Sequence, residues 1–150
     1  MPMQRPGALC KQLPTSKLIP MHGELHHVEM YVRDLALAKQ FWGWLLGELG
    51  YHVYSEWEQG VSYKLGATYL VFVQVEPEHM DVAYHRKKAG LNHLAFHARD
   101  REFVDDMTTA LRQRGVNILY EDKHPFAGGP NYYAVFFEDP DRMKVELVAS

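Results

Sequence analysis

A ten-residue stretch, Leu25-His26-His27-Val28-Glu29-Met30-Tyr31-Val32-Arg33-Asp34, recurs 66 residues later as Leu91-Asn92-His93-Leu94-Ala95-Phe96-His97-Ala98-Arg99-Asp100. Leucine, histidine, arginine and aspartate hold the same places in both copies, so the chain is built by duplication of one unit. Each copy runs on into a helical pattern. From Leu35 to Leu49 the apolar stripe is Leu35, Ala38, Phe41, Trp42, Leu45, Leu46 and Leu49; after Asp100 it is Phe103, Met107, Ala110 and Leu111. Asp34 and Asp100 stand where a helix N-cap is expected, and Gly50 and Gly115 where a C-cap tolerates positive φ. Beyond the glycines, Gly50–Glu56 aligns with Gly115–Glu121. Two β-type segments follow in each copy: Val61–Leu65 and Tyr69–Val75, then Tyr132–Phe137 and Met143–Ala149. Strand, helix and three strands, twice over, predicts an α+β fold of two tandem βαβββ modules.

Size and composition agree with a single unit of that kind. The chain has 150 residues, is 47% hydrophobic and 23% charged, and carries a net charge of −3. That balance gives no electrostatic case for nucleic acid or an anionic membrane surface as partner. No apolar run reaches the roughly 18 residues that a spanning helix needs. A lone Cys10 excludes an internal disulfide framework and fits a reducing, cytoplasmic setting. Residues 1–23 hold four of the eight prolines, show no periodicity and lack a signal peptide's apolar core. They are expected to form an irregular arm ahead of a domain at 24–149, with modules at 24–80 and 90–149 joined by a linker at 81–89.

Alternation along the strands gives each segment two faces. Val28, Met30 and Val32 cover the helix, leaving His27, Glu29 and Tyr31 opposite. Leu94, Phe96 and Ala98 do the same, leaving His93, Ala95 and His97. In the last strand Met143, Val145 and Leu147 pack inward, and Glu146 joins the histidine face. In Tyr69–Val75 the three valines read as the packing face, which puts Phe72 and Gln74 opposite. The pattern pairs His27 with Gln74 and His93 with Glu146. A carboxylate buried on such a face is costly unless it is paired or bound to a cation. A lone histidine is more often a hydrogen-bonded core residue than a ligand; two at equivalent positions of a repeat, in phase with a glutamate, point to one divalent metal ion. Two imidazoles and a carboxylate suit Fe, and similar sets suit Mn, Ni, Co or Zn.

Three stretches resemble the glyoxalase/bleomycin-resistance/dioxygenase group of vicinal-oxygen-chelate proteins: Leu25–Asp34, Gly90–Phe96 and Glu138-Asp139-Pro140-Asp141-Arg142-Met143-Lys144-Val145-Glu146-Leu147-Val148. The resemblance covers residues 24–149. It implies a metal-binding cleft lined by both sheets, with His27, His93 and Glu146 on ligand positions. The fourth position falls on the last strand of the first module, where Gln74 is the candidate and Phe72 the alternative if the register slips by two. An amide there departs from the carboxylate of glyoxalase I-like members and from the histidine of extradiol dioxygenases. The three-ligand set resembles that of fosfomycin-modifying thiol transferases.

The expected function is metal-dependent small-molecule chemistry of the lyase or isomerase kind, with Glu146 or Glu29 moving the proton. Fe(II) ring-cleaving oxygenation, thiol transfer and a metal-free, bleomycin-sequestering binder are the alternatives. A small-molecule substrate and a second copy of the chain are the expected partners. His97, in phase with the same face, is a further candidate base, and His26 is the weaker ligand candidate. Tyr84-His85-Arg86-Lys87-Lys88 could hold an anionic substrate or be a solvated linker, and His124–Pro130 reads as a glycine-rich loop over the second sheet.

Overall fold

The computed structural model describes residues 22–150; the expected arm, apart from its last two residues, lies outside them. The first module runs β1 (His27–Val32), α1 (Leu35–Glu48), β2 (His52–Trp57), β3 (Gly60–Leu65) and β4 (Thr68–Gln74). The second runs β5 (His93–Ala98), α2 (Arg101–Gln113), β6 (Ile118–Leu119), β7 (Tyr133–Glu138) and β8 (Lys144–Ala149). Each forms a four-stranded mixed sheet, ordered β1-β4-β3-β2 and β5-β8-β7-β6. In both, the first and last strands pair in parallel and the rest are antiparallel.

The capping residues act as their positions predict. Asp34 Oδ1 accepts from Leu37 N at 3.1 Å and Asp100 Oδ1 from Phe103 N at 2.7 Å, each satisfying an otherwise unpaired first-turn amide. Gly50 and Gly115 close the helices at φ of 89° and 71°. The copies differ at β6, which has only two residues because Tyr120 turns the chain at φ 57°.

The helix-bearing faces of the two modules share one hydrophobic core. Trp42 of α1 is fully buried, stacks on Phe72 at 4.9 Å and lies 6.4 Å from Phe96 of the second sheet. Its indole N–H donates to Asp139 Oδ2 at 3.2 Å, so the largest core side chain has no stranded polar atom. The Glu138–Asp141 turn fastens the halves together. Glu138 accepts from Arg86 at 2.7 Å and from Asn117 at 3.1 Å, and Asp141 accepts from Arg33 N at 3.1 Å. Burial alone would raise the Glu138 carboxyl, but Asn117, Arg86 and Arg142 together hold it below its usual value. Asp139, which is more deeply buried, is pushed up to about 6 by desolvation. Arg86 is thus committed to a buried carboxylate, which is neither the anion-holding nor the solvated-linker role expected of Tyr84–Lys88.

One face assignment is corrected. In β4 it is Leu70 and Phe72 that join the helix-side core, while Val71 lies beside His27 and Glu29. Leu70, Val71 and Phe72 are all buried, so β4 is apolar on both sides and alternation could not tell its faces apart.

Candidate metal centre

With the helix faces packed together, the opposite sheet faces are left outermost. His27, Glu29 and Tyr31 are exposed on the first sheet and His93, Ala95 and His97 on the second. The candidate ligands therefore form two half-sites, not one cleft within a chain. Among the described residues, the one trio of His, Cys, Asp or Glu side chains with ligating atoms within 4.8 Å of one another is Glu76, Glu78 and His79, which is exposed and belongs to neither half-site.

The second-module half-site is built around Glu146, only 2% exposed. Its Oε2 lies 3.4 Å from His93 Nε2, and its Oε1 accepts a hydrogen bond from the Tyr132 hydroxyl. That bond, with burial, pushes the Tyr132 phenol up to about 12, so it stays a donor at any ordinary pH. His93 Nδ1 lies 2.7 Å from Asn92 Oδ1. The Asn92 amide cannot be reversed without loss, because its Nδ2 donates to Arg86 O at 3.0 Å. Asn92 Oδ1 then accepts from His93 Nδ1, which turns Nε2 toward Glu146. An imidazole Nε2 turned toward a buried glutamate oxygen is a donor set that fits a divalent cation.

The first-module half-site is differently made. His27 stacks flat on Tyr69 at 4.8 Å, and its Nδ1 lies 2.9 Å from His26 Nδ1. His27, Glu29, Tyr54, Trp57, Tyr69 and Val71 line a shallow pocket of about 240 Å³. The position equivalent to Glu146 follows from the register: Glu146 pairs with Ala95, and Val71 pairs with Glu29, its repeat counterpart. A valine thus stands where the repeat would place a second carboxylate.

Gln74 is not at the site. It pairs with Val32, five residues along the strand from the Tyr69 that pairs with His27. Its Oε1 accepts from Leu35 N at 3.0 Å and its Nε2 donates to Arg33 O at 2.8 Å, so it ties off the start of α1. Phe72, the alternative, stacks on Trp42 in the core. Glu29 stays on the His27 face, whereas His97 is 3.4 Å from Ser150 Oγ on the second sheet. Tyr132 and Asn92 were not singled out from sequence. Asn92 adjoins a predicted ligand, but Tyr132 lies 14 residues from Glu146 and no spacing rule links them.

Comparison with known proteins agrees with this architecture. YqjT of Bacillus subtilis strain 168, itself uncharacterized, is 54% identical over 125 residues, covering 83% of this chain and 98% of YqjT. The crystal structure of a candidate glyoxalase from Bacillus halodurans matches with 62% identity and a TM-score of 0.85, over 85% of this chain and 96% of that one. The fold also matches lactoylglutathione lyase from Agrobacterium tumefaciens at 20% identity and a TM-score of 0.60, over 86% and 95% of the two chains. The family model for the Glyoxalase/Bleomycin resistance protein/Dioxygenase superfamily matches residues 24–147, and the chain belongs to that family.

Proposed function

We propose that the protein is a divalent-metal-dependent enzyme acting on a small molecule with neighbouring oxygens, in the manner of a lyase or isomerase. The observation that carries this reading is the buried Glu146 carboxylate, held against the Nε2 face of a His93 whose tautomer is set by Asn92. A protein that merely sequesters a ligand has no need of such an arrangement. His27, His93 and Glu146 would hold the cation, which when bound supplies Lewis-acid polarisation of the substrate oxygens. Glu29 lies on the His27 face with its carboxylate open, in position to take a proton from substrate carbon and return it. Tyr54, Trp57 and Tyr69 offer apolar ring surface that would shield the reacting group from water.

Because His27 lies apart from His93 and Glu146 in one chain, the complete site needs a second copy. The uncovered sheet faces, which expose Tyr31, Tyr54, Trp57, Tyr120 and Tyr132, are the surfaces such a homodimer would bury. Each site would then draw His27 from one chain and His93 and Glu146 from the other. Co-expressing His27→Ala chains with Glu146→Ala chains tests this. Homodimers of either variant should bind no cation, and the mixed dimer should recover one site with intact ligands. A monomer in sedimentation that still binds one cation stoichiometrically would refute the shared site.

Val71 supports a second reading. With no fourth protein ligand, the set is two histidines and one carboxylate, the arrangement common to Fe(II) oxygenases. Anaerobic purification with elemental analysis separates the two: iron with substrate-dependent oxygen uptake favours oxygenation, whereas nickel, zinc or cobalt with proton exchange into substrate favours the isomerase.

A further inference from the structure

We infer that Tyr132 is a positioning residue for the metal-facing carboxylate, an assignment that rests on the metal reading above. Glu146 has two oxygens in unlike surroundings. Oε1 is occupied by the Tyr132 hydroxyl, and Oε2 is turned toward His93 Nε2, 3.4 Å away. While the phenol holds Oε1, Glu146 offers a cation one oxygen only, with its direction fixed. Without that bond the carboxylate can rotate or bind through both oxygens, taking up a coordination position that substrate would otherwise use.

The loop before β7 is shaped to keep the ring in place. A side chain on Gly128 would put its Cβ 2.3 Å from Tyr132 Cδ1, so only glycine lets the ring lie there. Turn hydrogen bonds fix the loop on both sides of this contact: Gly129 N donates to Phe126 O at 3.0 Å and Tyr132 N to Gly129 O at 3.1 Å. Ala134 N, donating to Pro125 O at 2.9 Å, joins the loop to the strand that pairs with β8. The glycine-rich loop therefore acts on the site through one phenol. Gly128 permits the ring, the ring presents the hydroxyl, and the hydroxyl orients Glu146.

Cobalt(II) titration of the full chain tests the assignment, because the visible bands of Co²⁺ report both affinity and coordination number. Tyr132→Phe keeps the ring and its packing on Gly128 and removes only the hydroxyl. It is expected to weaken Co²⁺ binding about tenfold and to lower the band intensity as coordination number rises. Gly128→Ala should weaken binding in the parent but add nothing in the Tyr132→Phe background, since the displaced ring no longer carries a hydroxyl. Equal affinity and an identical spectrum for Tyr132→Phe would overturn the inference and leave the metal reading intact. A parent protein that binds no Co²⁺ would overturn both.

Discussion

The two modules share a strand, a cap, a helix and a histidine, yet their outer faces have diverged. In the second module the histidine is set by an asparagine and faces a buried glutamate held by a tyrosine. In the first, the histidine leans on a tyrosine ring, and a buried valine fills the place of the glutamate. Duplication preserved what the fold requires of each copy, because a lost cap or core residue would cost each module stability. The fold requires a carboxylate at neither place, and only the second module carries one. The chemistry is therefore asymmetric on a near-symmetric frame.

Restoring the symmetry should have the largest effect. Val71→Glu puts a carboxylate on a site only 6% exposed, at a cost of about 2–4 kcal/mol to the metal-free protein. If the two half-sites meet around one cation, the same change supplies a fourth ligand, tightens metal binding at least tenfold (~1.4 kcal/mol) and makes the melting midpoint steeply metal-dependent. Thermal unfolding with and without Zn²⁺ measures both. A midpoint that falls and does not recover with metal would mean that position 71 never faces the ion.

A smaller effect separates the two histidines. Asn92→Ala frees the His93 ring to adopt either tautomer and should weaken metal binding on the order of tenfold. His26→Ala, beside His27, should do less, because Tyr69 stacking still orients that ring. Equal losses at the two positions, measured by calorimetric metal titration, would contradict the distinction drawn between the half-sites.

The smallest effect on the metal is expected at Gln74. Gln74→Glu leaves an acceptor for Leu35 N but removes the donor to Arg33 O, setting a carboxylate against a carbonyl. Stability should drop by about 1–2 kcal/mol with metal affinity unchanged. A clear gain in affinity would return Gln74 to the site.

Much of this was legible in the chain because it is local or periodic. The repeat carried the module plan, Asp34 and Asp100 marked the helix starts, and strict alternation in β1, β5 and β8 put His27, His93 and Glu146 on the faces opposite the helices. Alternation failed in β4, where both faces are apolar, and the failure made Gln74 a ligand candidate in place of the true counterpart, Val71. It was silent on Tyr132, which reaches Glu146 only because a glycine lets the loop fold down on the sheet.

Sequence alone thus determined which residues each module presents, since side-chain direction along a strand depends on nothing beyond the strand's own period. Only tertiary structure decided where those faces point. Trp42, Phe72, Phe96 and Phe137 bring the helix sides together because their apolar surface is thereby removed from water. The ligand faces are left outward as a consequence, and no pattern along the chain records which of its two surfaces a pair of modules will hide.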